Sequence, residues 1–569
     1  MFKRCSCFFI YGLFFIASCN SKKGGNHDLM AQTPQEMQQQ LPDLIKSSLA
    51  NLASSSLMSD SVPVRDNRLL GLIYDQQQHV PLWSSQEKWL PAGDSLLKFI
   101  SQCRLYGLFP EDYHSVTLDS FRLAIEADSL SEGIRKHTGV WADADLMLTD
   151  AFIGILHDIK IGRLPDDSIS FRKDSMLTDS FYVLQLGLLK SNPSVQMLVE
   201  PLEPKLRDYH ALKNAIPAFL ATMDNRSFTK VPDPGKNKAA FKTALQKRLA
   251  EEGIVSDSLV LDSVQLSNAI KLYQKKKNLN VDGRVGEGTL RVMNTDDGEK
   301  FARIAISMDR YKLLPADMPE RYILVNTSGN YLELIERDSV RLYSKTICGK
   351  TKTRTPLLNA NIGELITYPQ WVPPPSIIAK EILPAVKRDP GYLAKKGFSL
   401  VDAGGEEVDP FTVDWTKYSK SMPYKVVQGS GDANALGIMK FVFSNKYSVY
   451  LHDTNQRYLF ANAQRNLSHG CVRVQEWEKL ALYMLKNDSL RSSGRSFTPR
   501  DSLYRWLKNK EKKSIAVRNK IPLFIRYFTC AGQDGKMLFF DDVYGEDRYL
   551  REKYYMRRAS AMVKTVPNL

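Results

Sequence analysis

The chain has 569 residues, more than one hydrophobic core usually holds, and this length predicts several domains. Hydrophobic residues make up 43% and charged residues 25%, an ordinary globular composition that excludes a chain disordered throughout. The formal net charge of +15 favours an anionic partner, such as nucleic acid, a lipid surface or an acidic polymer, but does not choose among them.

The N-terminus predicts export to the cell envelope. An apolar run, residues 8–16, follows two basic residues and is too short to span a bilayer, which needs roughly 20 residues. Its length is that of a signal-peptide core. Residues 16–19, Ile-Ala-Ser-Cys, resemble the bacterial lipobox, which implies a lipoprotein signal peptide over residues 1–18 and a lipid anchor on Cys19. A plain signal peptide with an incidental cysteine is the alternative.

Residues 19–41 are polar, with two glycines and a Gln-rich stretch, and they predict a flexible tether between the lipid and the folded body. Asn20, rather than an acidic residue, follows Cys19, so the sequence carries no signal for retention at the inner membrane. We therefore expect a periplasm-facing lipoprotein of the outer membrane. The later cysteines lack a CxxC pair, so no metal site is predicted and their disulfide pairing stays open: Cys103, Cys348, Cys471 and Cys530.

Residues 42–235 have a helical pattern and predict a helical domain. Within residues 145–161 the apolar positions recur with helical spacing, and Pro165 ends that element. A stretch rich in Pro, Gly and Lys, residues 230–238, predicts a domain boundary.

Residues 240–297 predict a small unit of three helices. Residues 282–289, Asp-Gly-Arg-Val-Gly-Glu-Gly-Thr, predict tight turns that lead into a helix. Together with Tyr273 and Gln274 upstream, they resemble the small peptidoglycan-binding domain, whose closing pattern is Asp-Gly-x-Val-Gly-x-x-Thr. The resemblance implies a module that holds the chain near the wall, although a generic three-helix unit would share the helical pattern.

From residue 320 the pattern changes to strands. Three segments rich in β-branched and aromatic residues predict an antiparallel meander: 322–326, 331–336 and 340–347.

A Pro-rich stretch introduces a helical insert of about residues 373–425, after which strands resume near Tyr424. We therefore predict a mostly β domain over residues 320–550, followed by a tail over residues 551–569.

Only two histidines, His452 and His469, lie beyond residue 210, and both flank Cys471. The alternation in residues 446–452 predicts a strand with Tyr450 and His452 on one face. The apolar residues after Cys471 follow a helical period, which would place Cys471 just before a helix start, where helix dipole and imidazole favour a thiolate.

Gly470 permits a sharp turn, and amide N–H groups around Cys471 would hold an oxyanion. The segment thus offers a base, a nucleophile and an oxyanion site. A buried structural cysteine with two satisfied histidines is the alternative, and the combination of residues argues against it.

Residues 468–474, Ser-His-Gly-Cys-Val-Arg-Val, resemble the signature of L,D-transpeptidases of the YkuD type, and His452 lies 19 positions before Cys471, as that family requires. The resemblance implies that Cys471 is the nucleophile and His452 the general base and acid, with a backbone carbonyl near Asp453 orienting the imidazole. It further implies an oxyanion role for Tyr450 and the Gly470 loop. It assigns substrate binding to four further residues: Arg473, His469, Trp371 and Ser468.

Similarities outside this motif cover nearly the whole predicted mature chain and are typical of the large, YcbB-like branch of the family. The implied fold is multidomain α+β: a helical scaffold domain, a three-helix peptidoglycan-binding domain and a mostly β catalytic domain with a helical capping insert. The implied reaction needs no cofactor and joins third-position diaminopimelate residues of peptidoglycan stems through a cysteine thioester, releasing D-alanine. Peptidoglycan and, through the lipid anchor, a membrane are the implied partners, and nucleic acid is not.

Several alternatives stay open or lose ground. An L,D-carboxypeptidase that trims tetrapeptide stems and a non-catalytic wall-binding lipoprotein stay open. A wall-cleaving cysteine endopeptidase is disfavoured because in that class the cysteine usually precedes the histidine. A zinc site built from His452, His469 and Cys471 lacks a fourth ligand at a suitable spacing.

Overall fold

The computed structural model describes residues 30–55, 58, 62–130, 136–172, 177–224, 226, 228–235, 237–256, 260–277, 279–490 and 498–555. The predicted signal peptide, Cys19 and most of the tail fall outside these residues. The chain divides into two compact units. The first contains the described residues up to 100 with 113–154 and 183–195, and the second contains residues 101–112, 155–182 and those from 196 onward.

Helices dominate the N-terminal part, as the periodicity predicts. They are α1 (Pro34–Ser55), α2 (Asn67–Gln76), α3 (Pro91–Gln102), α4 (Ser115–Leu130), α5 (Thr138–Lys160), α6 (Asp179–Ser191), α7 (Val195–Val199) and α8 (Arg207–Ala221). Two short antiparallel pairs join them, β1 (Met30–Ala31) with β4 (Lys136–His137), and β2 (Ser84–Ser85) with β3 (Lys88–Trp89). No helix among the described residues is both long and apolar enough to cross a bilayer.

The tether prediction is wrong for residues 34–41, because α1 begins at Pro34 and runs through Pro42. Met37 and Leu41 are fully buried in this helix. The polar composition of the segment hid these two apolar positions, which lie four residues apart on one helical face.

Three helices form the small module: α9 (Lys238–Glu251), α10 (Ser263–Lys276) and α11 (Glu287–Asn294). Buried Gln274 holds the closing loop, since its amide nitrogen donates to the Asp282 carboxylate at 2.8 Å and its oxygen accepts the Gly283 N–H at 2.9 Å. Gly283 has φ +72°, and a Cβ there would meet Ser267 Oγ at 2.5 Å. The turn therefore requires glycine at this position.

The second unit continues with α12 (Asp297–Lys312) and the predicted meander, β5 (Arg321–Asn326), β6 (Tyr331–Glu336) and β7 (Ser339–Gly349). Within the described residues, nine strands then form one sheet in the order β13-β7-β14-β12-β11-β8-β15-β5-β6. The remaining members are β8 (Leu358–Thr367), β11 (Met439–Phe443), β12 (Leu451–His452), β13 (Asn466–Ser468), β14 (Val472–Val474) and β15 (Lys513–Arg526). Because β6 also pairs with β7, the chain of strand pairings closes on itself.

One core of this domain lies between the sheet and helix α16 (Trp477–Leu490), which buries Leu480 and Met484. A second core is formed by α8 and α12 against residues such as Leu324 and Phe524. The last described elements are α17 (Arg500–Lys508), the hairpin β16 (Cys530–Gln533) with β17 (Lys536–Phe539), α18 (Glu546–Leu550) and a π-helical turn (Arg551–Tyr555).

The insert is less helical than predicted. It contains α13 (Pro375–Ile377), a π-helical turn (Ile378–Ile382), α14 (Leu383–Arg388) and α15 (Tyr392–Lys395), and it closes with a two-stranded sheet of β9 (Phe398–Val401) and β10 (Lys425–Gln428). The strand near Tyr424 therefore belongs to the insert, and the main sheet resumes only at β11. The insert has its own small core, which includes Leu383, Val386 and Trp415.

Candidate active site

Three neighbouring strands bring the predicted residues together. His452 on β12 pairs with Lys440 on antiparallel β11 and with Arg473 on parallel β14. The same parallel register sets Leu451 beside Val472, and the Val472 N–H donates to the Tyr450 carbonyl at 3.1 Å. Because paired residues point to one face of a sheet, the side chains of Lys440, His452 and Arg473 share a face.

Cys471 does not precede a helix, as the apolar period had predicted. Strand β14 follows it directly, and α16 begins only at Trp477. The apolar residues after Cys471 serve two elements, first the strand and then the helix, and their spacing alone does not separate the two. A helix dipole therefore does not favour the thiolate.

The loop from Ser468 to Cys471 is held by its own hydrogen bonds. Gly470 has φ +121°, a conformation that favours glycine. Ser468 Oγ accepts the Gly470 N–H at 3.1 Å and donates to the Cys471 carbonyl at 2.6 Å, while Thr355 Oγ1 donates to the Gly470 carbonyl at 2.8 Å. Ser468 thus shapes the loop that presents the thiol.

These bonds change the expectation for the oxyanion donors. The Gly470 N–H is occupied by Ser468 and the Val472 N–H by Tyr450. The Cys471 N–H, by contrast, has no acceptor among the described residues. If the sulfur attacked a carbonyl, the resulting oxyanion would therefore accept a hydrogen bond from the Cys471 N–H and not from the Gly470 N–H.

His452 is buried, with 4% of its surface exposed. Burial, the positive charge of Arg473 and that of Lys440 lower its pKa from 6.5 to about 3, although the backbone groups of Asp453 and Leu436 oppose this shift. Its Nδ1 is buried and has no partner of normal hydrogen-bond geometry among the described residues. The imidazole is therefore neutral at neutral pH and able to accept a proton.

The Asp453 side chain does not orient His452. Its carboxylate accepts from Arg457 at 2.6 and 3.0 Å and from the Ile438 N–H at 3.1 Å. The Asp453 backbone, by contrast, acts on the imidazole and raises the pKa of His452.

Tyr450 lies beside both His452 and Cys471. Its ring centroid is 5.6 Å from that of His452, and the Lys440 Nζ lies 4.0 Å from the Tyr450 centroid. The pKa of the half-buried Cys471 thiol is raised, because burial outweighs the Tyr450 N–H and hydroxyl, Lys440 and Arg473, which lower it. The Tyr450 hydroxyl is close enough to the Cys471 sulfur to lower the pKa of the thiol, although the two make no hydrogen bond of normal geometry among the described contacts.

Two predicted substrate-binding residues contact the insert. The Trp371 N–H donates to the Gln428 carbonyl at 3.0 Å, and the Gln428 N–H donates to the Trp371 carbonyl at 2.7 Å. The Trp371 side chain lies close enough to the Tyr450 hydroxyl to lower its pKa. His469 Nε2 lies 2.5 Å from the Glu381 carboxylate, in the π-helical turn of the insert. Both residues therefore link the site to the insert.

Arg473 faces the site from β14, and its Nη1 donates to Gln456 Oε1 at 3.0 Å. Its Nε is buried and has no partner among the described residues. Burial lowers the pKa of this guanidinium. No group of three or more His, Cys, Asp or Glu side chains in the described part of the chain is arranged to hold a metal ion.

Motif reasoning missed three residues. Strand pairing brings Lys440 next to His452, and a hydrogen bond joins Thr355 to the Gly470 carbonyl. Glu381 lies in the insert and contacts His469. Lys440 and Thr355 lie in segments that resemble the family outside its signature, and this was the only available signal. Glu381 had none, because its partner His469 lies 88 residues away.

Comparisons with known proteins identify three domains in the chain. Residues 320–490 match the model of the YkuD family, described as "L,D-transpeptidase catalytic domain". Residues 68–216 match "Scaffold domain", and residues 243–293 match "Putative peptidoglycan binding domain".

A protein of Haemophilus influenzae named "Putative L,D-transpeptidase" is 32% identical over 248 residues, which cover 44% of this chain and 48% of that protein. The match thus spans about half the length of this curated relative. Two solved structures are also similar: an L,D-transpeptidase of Xylanimonas cellulosilytica, with 12% identity over 53% of this chain and 96% of the other, and the Ldtfm–avibactam carbamoyl enzyme, with 10% over 48% and 83%. Both TM-scores are 0.15, too low to establish a shared overall fold.

The chain therefore contains an L,D-transpeptidase catalytic domain of the YkuD family, joined to a scaffold domain and a peptidoglycan-binding domain. The family resemblance of residues 468–474 and the multidomain α+β fold class are confirmed.

Proposed function

We propose that this protein is a murein L,D-transpeptidase that joins third-position diaminopimelate residues of neighbouring peptidoglycan stems through a Cys471 thioester. The observation that carries the proposal is the parallel pairing of β12 with β14, which sets Cys471 beside Tyr450 and near neutral His452. A nucleophile, a base and oxyanion donors at one place are the requirements of acyl transfer.

In the first step, Cys471 Sγ attacks the carbonyl at the L-centre of the third stem residue, and His452 takes the thiol proton. The oxyanion accepts hydrogen bonds from the Cys471 N–H and the Tyr450 hydroxyl. When the tetrahedral intermediate collapses, the peptide bond breaks and D-alanine leaves with the proton from His452. A thioester on Cys471 remains.

In the second step, the side-chain amine of an acceptor diaminopimelate attacks the thioester carbonyl. His452 takes the amine proton, the carbon–sulfur bond breaks, and the returning proton restores the thiol. Attack by water would instead release a tripeptide, which is the L,D-carboxypeptidase reaction. Exclusion of water by the insert, through Trp371 and the His469–Glu381 contact, favours the amine.

The test is to incubate the purified chain with disaccharide-tetrapeptide and to read the products by mass spectrometry, with Cys471→Ala alongside. We expect a dimer lighter by one D-alanine, and no dimer from Cys471→Ala. Cys348→Ala is the matched control, because that thiol is buried in β7 and burial raises its pKa to about 11. It should form the dimer at the wild-type rate.

A tripeptide without dimer would replace the proposal with the carboxypeptidase. Product formation that survives Cys471→Ala would refute a cysteine nucleophile. Absence of any product from every variant would favour a non-catalytic wall-binding lipoprotein.

We also propose that peptidoglycan is bound by the small helical module, which raises the local concentration of substrate. Attachment to the outer membrane through a lipid on Cys19 is a proposal from the sequence alone. The mass of the N-terminal peptide from membranes tests it, since Cys19→Ala should remove the lipid and release the protein from the membrane fraction.

A further inference from the structure

Lys440 places a cation inside the site that the family signature does not include. It lies on β11 opposite His452, and its ammonium sits 4.0 Å from the centroid of the Tyr450 ring. Tyr450 in turn presents both its backbone N–H and its hydroxyl toward the sulfur of Cys471. The positive charge is therefore held against the residue that contacts the nucleophile.

Lys440 has no carboxylate at ion-pair distance within the described part of the chain. The negative groups that act on it are the Cys471 sulfur and, more weakly, Glu364 on β8. Glu364 already accepts a hydrogen bond from the Ser514 hydroxyl. A half-buried ammonium that lacks a carboxylate is electrostatically costly, and an anion on Cys471 would relieve that cost.

Of the two cations on this face, Lys440 lowers the pKa of the Cys471 thiol more than Arg473 does. Arg473 lies on the far side of His452, on β14, and donates to Gln456. His452, set between the two cations, is kept neutral by burial and by their charges. In the free enzyme it therefore does not supply the positive charge that a thiolate at Cys471 needs.

We propose that Lys440 supplies positive charge that stabilises the Cys471 thiolate as it forms, when neutral His452 takes the thiol proton. The inference rests on the proposed function, in which Cys471 is the nucleophile. Lys440 exchanges no proton with the substrate in this scheme. It lowers the cost of forming the thiolate, while neutral His452 remains free to move the proton.

The test measures alkylation of Cys471 by iodoacetamide from pH 6 to 10.5 in the full chain, quantified on the Cys471 peptide by mass spectrometry. Lys440→Met should react about ten-fold more slowly than wild type at pH 8, because loss of a nearby cation raises the pKa of a thiol. Lys440→Arg, which keeps the charge, should stay within about three-fold of wild type. Lys446→Met, at an exposed lysine of the following turn, should leave the pH profile unchanged.

An unchanged pH profile in Lys440→Met would overturn the inference. Alkylation of Lys440→Arg as slow as that of Lys440→Met would also overturn it, because side-chain shape and not charge would then control the reactivity of Cys471. If circular dichroism shows that Lys440→Met does not fold, Lys440→Gln takes its place. Since alkylation requires no wall substrate, Lys440-dependent alkylation without dimer or tripeptide formation would refute the proposed function and leave the effect of Lys440 on the thiol standing.

Discussion

The loop that closes the small helical module and the loop that presents Cys471 are both short, glycine-containing motifs, yet their buried polar groups are used in opposite ways. In the module, the Gln274 amide donates to Asp282, Arg284 and Thr289 and accepts from Gly283. In the catalytic domain, His452 Nδ1 and Arg473 Nε are buried atoms without a hydrogen-bond partner of normal geometry among the described residues.

This difference separates structural residues from reactive ones. A buried polar group whose hydrogen bonds are all internal stabilises the fold and has nothing left for a ligand. A buried titratable group with an unused atom and a shifted pKa is costly to the fold, and such groups concentrate at functional sites. The two motifs look alike in sequence, because both consist of polar residues around a glycine.

The largest expected effect comes from His452→Gln, which keeps a polar side chain but cannot move the proton. We expect D-alanine release to fall about a thousand-fold, the usual contribution of a general base, while the thermal unfolding of the chain changes little. The measurement is the initial rate of D-alanine release from disaccharide-tetrapeptide.

His469→Gln is the control for that variant, since His469 is half-exposed and contacts Glu381 of the insert. Its rate of D-alanine release should fall by less than about ten-fold, as expected for a residue that positions the insert. Equal losses in the two variants would contradict the distinction drawn between the two histidines.

Gln274→Ala should have an intermediate effect, and on stability instead of catalysis. Removing this amide leaves the buried Gly283 N–H without its acceptor and takes away hydrogen bonds to the Arg284 carbonyl and the Thr289 hydroxyl, at a cost of about 2–3 kcal/mol in the free energy of unfolding of the module. Hydrogen exchange of the α10 and α11 amides would measure it, and D-alanine release from a soluble substrate should be unchanged.

Gln265→Ala on the same helix is the comparison, because Gln265 belongs to an exposed capping box with Asp262. We expect a loss of about 0.5–1 kcal/mol there. A Gln274→Ala variant no less stable than Gln265→Ala would show that the internal hydrogen bonds of Gln274 do not hold the loop.

The smallest expected effect concerns pH. The pKa of His452 is about 3, below the ordinary 6.5, so the imidazole stays neutral and competent well below pH 6.5. Between pH 7 and pH 5 we expect kcat/KM for D-alanine release to fall by less than about two-fold on account of His452. A decline with a midpoint near 6.5 would contradict the neutral, buried imidazole.

Stability should respond to pH through the same group. The unfolded chain binds a proton at His452 below about pH 6.5, whereas the folded chain does not until about pH 3. The contribution of His452 to the free energy of unfolding is therefore fully present above pH 6.5 and decreases as the pH falls from 6.5 toward 3.

Local patterns predicted the elements that depend on neighbouring residues. The meander of β5, β6 and β7 and the helix α5 follow from period and turn residues close together in the chain. The same reasoning was wrong at Cys471, where a strand precedes α16, and it placed a strand correctly near Tyr424 without showing that this strand pairs within the insert. In both cases the outcome depends on which distant strand is available for pairing.

The sequence by itself predicted Cys471 and His452 as the reacting pair and determined the order of the domains, because both depend on residue type and spacing. Only the tertiary structure decided the electrostatics of the site. Lys440, His452 and Arg473 meet through pairing of β11, β12 and β14, and burial then lowers the pKa of His452. Strand pairing and desolvation arise when distant segments exclude water together, and no local pattern of residues records that.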